Sequence, residues 1–239
     1  MDTIFSLPKD IYKNRRLVAK LAKNDFKTRY AGSYLGIVWA FIQPVITILV
    51  YWFVFSVGFR SGTGDLGVPF VLYLVAGIVP WFFFQDALIG GTNSLLEYNY
   101  LVKKVVFNIS VLPVVKIISA MFVHAFFVLF TIILYAAYGK LPDLYYLQII
   151  YYSGCVFLLV LGLSYATSAI VIFFRDLTQI INIVLQVGVW LTPIMWIVEN
   201  TPLQGHPIIM KILKLNPMYY QFCMMLEQEL HLYPYLMSM

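Results

Sequence analysis

Residues 36–57 read GIVWAFIQPVITILVYWFVFSV, a run with no charged side chain. A helix needs about 20 mainly apolar residues to cross about 30 Å of hydrocarbon, so this run predicts a membrane-spanning helix. Four further runs of the same kind follow, at residues 69–89, 117–138, within 145–174, and 180–198. The fold class predicted from them is an all-α, polytopic transmembrane helical bundle with five spans.

The composition agrees with this prediction. Hydrophobic residues make up 62% of the 239-residue chain and charged residues only 11%, against about 25% charged residues in an average chain. These values exclude an ordinary water-soluble globule and indicate one membrane domain over residues 1–239. Pro44, Pro80 and Pro193 fall inside apolar runs, where neighbouring helices can satisfy a carbonyl that a proline leaves unpaired.

The basic residues are distributed unequally between the two sides of the predicted spans. Twelve lie on the side of the N-terminus: Lys9, Lys13, Arg15, Arg16, Lys20, Lys23, Lys27, Arg29, Lys103, Lys104, Lys116 and Arg175. Four lie on the other side: Arg60, Lys140, Lys211 and Lys214. Positive residues concentrate in the cytoplasm, so we expect a cytoplasmic N-terminus and, with five spans, an external C-terminus.

Residues 1–35 are predicted to form an amphipathic cytoplasmic helix at the membrane interface. One face carries the apolar residues Leu17, Val18, Leu21, Ala22 and Phe26, and the cations Lys13, Arg16, Lys20, Lys23 and Lys27 lie towards the other. Such a helix is expected to place its apolar face in the headgroup boundary and its cations toward anionic lipid. A simple basic anchor before the first span is the alternative.

The chain carries no pattern of acids, bases or metal ligands that indicates catalysis. Its three histidines share no ligand spacing, so we expect no catalytic residue and no metal site. No GxxxxGK[ST] phosphate loop occurs, which excludes ATP hydrolysis by that route. Among the histidines, only His124 lies inside a predicted span, where a lone histidine is typical of a hydrogen-bonded packing residue. Any transport must therefore draw its energy from a partner.

Two segments predicted to be cytoplasmic could contact such a partner. Residues 92–108 are polar enough to leave the bilayer and long enough for a short helix. Arg175 and Asp176 lie in the turn between the fourth and fifth spans, where they could bind a partner or cap the adjoining helices.

Five blocks of sequence resemble the ABC-transporter permeases that export polysaccharide or polyol phosphate, namely O-antigen, capsule and teichoic acid. They occur in the order found in that family and cover about residues 9–222. The blocks are RYAGSYLGIVW at 29–39 followed by Pro44, LVKKVVFN at 101–108, FFRDLT at 173–178, LTPIMW at 191–196, and NPMYY at 216–220.

The resemblance implies an ATP-driven exporter of a lipid-linked polymer in the bacterial cytoplasmic (inner) membrane. It implies partners: a second copy of the chain and a cytoplasmic ATP-binding subunit that holds ATP and magnesium, with no cofactor in this chain and no nucleic acid. The interfacial helix maps to residues 9–30, the coupling helix and gate to 92–107, and external gate helices to 200–226. The implied ATPase-coupling residues are Glu97, Lys103, Lys104, Arg175 and Asp176.

The aromatic residues, 18% of the chain, then suggest a glycan conduit, because rings offer flat platforms and tyrosine hydroxyls offer adjustable hydrogen bonds. The candidate channel-lining residues are Trp39, Phe41, Tyr51, Trp52, Trp81, Phe82 and Phe83. Membrane-interface belts and lipid-facing packing are the alternative use of such residues.

Residues 199–239 are expected to form an external gate-like segment and a truncated tail. The resemblance implies a subunit with six spans, and the tail, 221–239, departs from it because it lacks the last helix. We therefore expect a truncated or frameshifted chain, or a partner that replaces that helix. Other functions stay open: a permease for a drug or small lipid, a membrane-embedded glycan enzyme, or a non-transporting membrane assembly subunit.

Overall fold

A computed structural model describes residues 11–59, 69–98, 109–139 and 147–196, together with Ile208, Lys211, Leu213 and residues 216–219. Six α-helices have both ends in these ranges: α1 Arg15–Arg29, α2 Trp39–Trp52, α3 Phe70–Glu97, α4 Leu112–Ala137, α5 Leu147–Val171 and α6 Leu177–Leu191. Short 3-10 turns precede α2 and α4, and a π-helical segment, Phe53–Gly58, follows α2.

The prediction of an all-α membrane bundle is confirmed. Four helical segments are long and apolar enough to cross a bilayer: Gly36–Gly58, Phe70–Glu97, Ile109–Ala137 and Ile149–Val171. Of these four segments, the one containing α3 is the most deeply buried. Of its most apolar 18 residues, 78% are buried, against 11% for the segment containing α2. The fifth predicted span is a shorter apolar helix, α6, of 15 residues. A cytoplasmic N-terminus stays a prediction.

The second span does not end at Ile89, as predicted, but continues as α3 to Glu97. Thr92 and Ser94 lie in this extension and are fully buried. Their hydroxyls donate to carbonyl oxygens of the preceding turn, Thr92 to Leu88 at 2.8 Å and Ser94 to Gly91 at 2.7 Å. The polar side chains that predicted an exit from the bilayer are thus satisfied within the helix.

The fifth span was predicted to continue through Pro193 to residue 198, but α6 ends at Leu191. Proline disfavours a helical conformation of the residue before it and donates no hydrogen bond. Thr192 instead donates its hydroxyl to the carbonyl of Gly188 at 2.8 Å, and its backbone N–H donates to the same oxygen at 2.9 Å. Pro44 and Pro80, by contrast, lie inside α2 and α3.

The chain folds into two compact units. Unit 1 comprises Met1–Phe41, Phe83–Val123 and Phe157–Ile183, and unit 2 comprises Ile42–Phe82, His124–Val156 and Val184–Met239. Within unit 1, α3 and α5 approach very closely, since a Cβ added at Gly91 would lie 2.2 Å from Oγ of Ser164. Beside this contact, the hydroxyls of Thr92 and Thr167 lie 2.7 Å apart. A small residue and a polar contact therefore hold α5 against α3.

In unit 2, the hydroxyls of two tyrosines donate hydrogen bonds to backbone carbonyl oxygens. The hydroxyl of Tyr73 donates to the carbonyl of Pro193 at 2.7 Å, just beyond the end of α6. Tyr135 donates to the carbonyl of Leu72 at 3.0 Å. Non-helical backbone at membrane depth needs such internal partners, so Tyr73 stabilises the turn that Pro193 imposes.

The close approach of α3 and α5 generates the first prediction. We expect Gly91→Ala to lower the unfolding temperature in detergent and the yield of monodisperse protein, because the new methyl group would overlap Ser164. Removing the side chain of Ser164 leaves its Cα 3.8 Å from the added Cβ, so Gly91→Ala with Ser164→Gly should recover most of the loss. The measurement is thermal unfolding followed by intrinsic fluorescence.

Gly162→Ala on α5 is the matched control, because a Cβ there meets nothing within 4 Å. Alanine is favoured over glycine in helices by about 1 kcal/mol, so this variant should be as stable as the wild type or slightly more stable. Equal behaviour of Gly91→Ala and Gly162→Ala would contradict the described packing.

Candidate functional site

Helix α1 is anchored in unit 1 by an apolar contact. Val18 and Ala22, one turn apart, are 2% and 0% exposed. They pack in a cluster with three buried residues at the start of α4 and in the turn before it: Val111, Val114 and Val115. Two residues of the predicted apolar face, Val18 and Ala22, therefore pack against protein, and the placement of the helix at the membrane interface stays a prediction. The predicted cations on the other side are exposed: Lys13, Arg16, Lys20, Lys23 and Lys27.

The same face of α1 carries two charged residues farther along. Val18, Ala22, Asp25 and Arg29 are spaced by four, three and four residues, which aligns them in one stripe on a helix. Asp25 is 5% exposed, so the stripe that begins apolar ends in a buried carboxylate and a partly buried guanidinium.

Lys116 of α4 meets this carboxylate. Its ammonium lies 2.7 Å from Oδ1 of Asp25 and also pairs with Oε2 of Glu97, the last residue of α3. The hydroxyl of Tyr98 donates to the same Oδ1 at 2.8 Å, and its ring centroid lies 5.2 Å from the Lys116 ammonium. Lys116 thus joins three segments of unit 1.

Arg29 forms the second ionic contact. Its Nη1 donates to both carboxylate oxygens of Asp86 on α3, at 2.8 and 2.6 Å, and its Nη2 lies 3.6 Å from Oδ2 of Asp25. Burial alone lowers the pKa of Arg29, but the charge of Asp86 and the hydrogen bonds to it outweigh burial and raise this pKa above its ordinary value. The guanidinium therefore stays charged.

Asp25 is the shared anion of the cluster. Burial alone raises its pKa, but the hydrogen bond and positive charge of Lys116, together with the hydrogen bond from Tyr98, outweigh burial. The pKa of Asp25 consequently lies below its ordinary value of 3.8, and the carboxylate is ionised at neutral pH. The charged groups surround a cavity of about 370 Å³, lined by Asp25, Thr28, Arg29, Asp86, Ile89, Gly90, Glu97 and Lys116.

The structure places the predicted coupling residues in different surroundings. Glu97 belongs to the ionic cluster, with a side chain 52% exposed. Arg175 and Asp176 lie in an exposed turn before α6, and their carbonyls accept the helix-opening hydrogen bonds from the backbone of Thr178 and Ile180. Lys103 and Lys104 lie outside the described residues. A coupling role for these residues stays a prediction.

Two exposed aromatic residues adjoin this turn. Phe173 is 92% exposed and Phe174 is 46% exposed. We call residues 173–176 the FFRD turn. It exposes two aromatic rings next to one positive and one negative side chain. Aromatic residues and arginine are enriched where proteins bind one another.

The candidate channel residues are distributed between exposed and buried positions. Trp39 and Trp52 are 42% and 38% exposed, whereas Trp81 and Phe83 are 2% and 3% exposed. Trp81 packs over a glycine of α6, since a Cβ added at Gly188 would lie 2.9 Å from its ring. The others, Phe41, Tyr51 and Phe82, are partly buried. Whether any of them contacts a polymer stays a prediction.

The remaining two predictions concern His124 as a packing residue and the absence of a metal site. Nε2 of His124 lies 3.1 Å from the hydroxyl of Ser153 in unit 2, consistent with a hydrogen-bonded packing residue. Among the residues that the structure describes, no three His, Cys, Asp or Glu side chains are grouped as they would be around a metal ion.

Sequence reasoning missed most of the ionic cluster. The sequence predicted Arg29 and Lys116 as cytoplasmic positive charges, and Arg29 also as the start of the first family block, but no role was predicted for Asp25 or Asp86. The spacing of Asp25 and Arg29 from Val18 and Ala22 was the available signal. Their partners on α3 and α4 are tertiary contacts, which no local pattern predicts.

Comparison with known proteins gives a consistent result. The profile described as ABC-2 type transporter matches residues 16–230. An O-antigen export system permease protein, RfbA, from Myxococcus xanthus is 28% identical over 212 residues, which cover 89% of this chain and 79% of that protein. Two proteins of the same name from Klebsiella pneumoniae are 27% and 24% identical over 78% of this chain and 71% of each relative.

The depressed pKa of Asp25 generates a pH prediction. Because the pKa is below 3.8 in the folded chain, the stability that this carboxylate contributes is complete above about pH 5 and is lost as the pH falls through the folded-state pKa. We expect Asp25→Asn to lower the unfolding temperature in detergent by the same amount from pH 8 to pH 5. Below about pH 4 the difference should shrink, and the two proteins should converge once the pH falls below the folded-state pKa of Asp25.

Asp176→Asn is the control, because Asp176 is exposed, and it should match the wild type throughout. A difference between Asp25→Asn and wild type that already shrinks between pH 8 and pH 5 would contradict the ion pair with Lys116.

Proposed function

The chain belongs to the ABC-2 type transporter family, and from this premise we propose that it is the membrane subunit of an ATP-driven exporter of lipid-linked polysaccharide. The family assignment predicted from the five sequence blocks is confirmed by this match. As the proposed cargo we name an O-antigen-class polymer, moved across the bacterial cytoplasmic membrane. The observation that carries the cargo is that all three relatives are named O-antigen export permeases.

The proposed energy source is a separate cytoplasmic ATP-binding subunit that holds ATP and magnesium. The sequence contains no phosphate loop, and its spans carry few ionisable groups that could couple transport to an ion gradient. This distribution of residues supports a passive conduit that a partner drives.

The proposed assembly contains two copies of the chain. The segment containing α2 is largely exposed, since only 11% of its most apolar 18 residues are buried. It presents large apolar side chains such as Leu49 and Phe53 at its surface. A second copy would cover part of this surface and lipid the remainder. Two chains would enclose a conduit, with the aromatic candidates available to contact the glycan.

The proposed contact for the ATP-binding subunit is the FFRD turn, with Glu97 as a second contact. Phe173 offers an aromatic side chain free to enter a pocket, and Arg175 and Asp176 offer directional hydrogen bonds. Closure of the ATP-binding subunits would pull on this turn and shift α5 and α6, which it connects.

Deletion of the gene tests the cargo. We expect lipid-linked polysaccharide to accumulate in the cytoplasm and surface polysaccharide to disappear, with restoration by a plasmid copy. Analysis of the accumulated lipid distinguishes O-antigen from capsule or teichoic acid. Normal surface polymer in the deletion strain would contradict the proposal and favour export of a drug or small lipid. Loss of surface polymer with no co-purifying ATPase would favour a non-transporting assembly subunit.

The FFRD turn generates a further prediction. Phe173→Ala and Arg175→Ala should each weaken association with the ATP-binding subunit and lower polymer export, because interface aromatics and arginines often carry 2 kcal/mol or more, about 30-fold in affinity. Both residues are exposed, so insertion and expression should not change. Binding is measured on the purified subunits and export by surface polymer.

Phe59→Ala is the control for the aromatic change, because Phe59 is 70% exposed but lies at the far end of the first span from α1. It should leave association unchanged. Wild-type affinity in both turn variants would contradict docking at the FFRD turn.

A further inference from the structure

We propose that the ion pairs between α1, α3 and α4 are a mechanical link, so that α1 moves together with α3 and α4 when the transporter cycles. Asp25, Arg29 and Lys116 are positioning residues in this view. The inference rests on the proposed function, because a link of this kind needs a transport cycle to serve.

The charges form a single alternating series. Asp86 of α3 pairs with Arg29, which pairs with Asp25; Asp25 pairs with Lys116, and Lys116 pairs with Glu97 at the end of α3. Each cation has two anionic partners. The series begins and ends on α3, at positions eleven residues apart, which is about 16 Å along a helix.

This geometry fixes the register of α1. The contact of Val18 and Ala22 with valines of α4 is apolar and non-directional, so by itself it would tolerate sliding. The ion pairs do not, because a shift of α1 by one residue rotates its face by about 100° and separates both Asp25 and Arg29 from their partners. The series therefore holds α1 at one point of α3, Asp86, and at one point of α4, Lys116, which is itself paired with the end of α3.

Stability alone does not account for the series. Lys116 and Asp25 are each 5% exposed, and buried ion pairs seldom stabilise a fold more than apolar residues of the same size. What such pairs supply is a defined geometry. The opposite face of α1 carries exposed cations, including Lys20 and Lys27, so a force applied to that face would pass through Asp25 and Arg29 into α3 and α4.

The ion pair between Arg29 and Asp86 is the one best suited to mutation, because both side chains are partly exposed. The Asp86 side chain is 42% exposed and that of Arg29 24% exposed, so Asp86→Asn and Arg29→Gln remove charge without leaving a fully buried ion. The assay uses the complete complex with its ATP-binding subunit in inverted membrane vesicles supplied with lipid-linked polysaccharide. Polymer moved and ATP hydrolysed are measured together. Asn24→Ala and Lys211→Gln, both at exposed positions, serve as controls.

We expect each single variant to lower the polymer moved per ATP hydrolysed about tenfold, with ATP hydrolysis changed less than twofold. The double variant should be no worse than either single variant, because one opened pair already breaks the link, and Asp86→Glu should recover much of the ratio. Hydrogen exchange in the purified chain should rise in the last turns of α1 for Asp86→Asn and Arg29→Gln but not for the controls.

An unchanged polymer-to-ATP ratio in both variants, with hydrogen exchange raised in α1, would overturn the link, since α1 would then be loosened without consequence. Equal losses of transport and hydrolysis would also overturn it and assign the ion pairs a purely structural role. A wild-type complex that hydrolyses ATP without moving polymer would instead contradict the proposed function.

Discussion

Lys116 lies almost out of reach of water at the start of a membrane-crossing segment, and an ammonium can be buried there only if opposite charge meets it. Asp25 supplies that charge from α1, and Glu97 supplies it from the end of α3. Removing one partner of such a pair costs about 3–5 kcal/mol, because the other charge is left buried and uncompensated. The placement of α1 depends on this pairing, and Glu97, the last residue of α3, completes it.

Apolar packing and charge have separate roles in unit 1. The valines of α4 supply a surface on which Val18 and Ala22 lose contact with solvent, and this burial favours association of α1 without selecting its register. Asp25 and Arg29 select the register because ion pairs depend steeply on distance. The two contacts occupy successive turns of one helix face, so the same stripe both binds and orients α1.

The number, order and approximate position of the helices could be predicted from the sequence, because hydropathy over about 20 residues is a local property. The helix ends were predicted less well, because each end depends on one or two residues that can either continue a helix or end it. Thr92 and Ser94 look like exit signals but satisfy their hydroxyls inside α3. Pro193 looks like one of three tolerated prolines but ends α6. A cluster that joins residues 25, 86 and 116 could not be predicted, because its members meet only after the helices pack.

The ionic and the neutral contacts are distributed unequally between the two units. The ion pairs described above all lie in unit 1, which also holds the FFRD turn and the exposed cations of α1. In unit 2, by contrast, the described polar contacts at Tyr73, Tyr135 and His124 involve neutral oxygens. A buried ion pair is costly to break, because the charge left behind is uncompensated, whereas a neutral hydrogen bond is worth only about 1 kcal/mol. The contacts that define helix register most strictly therefore lie in unit 1.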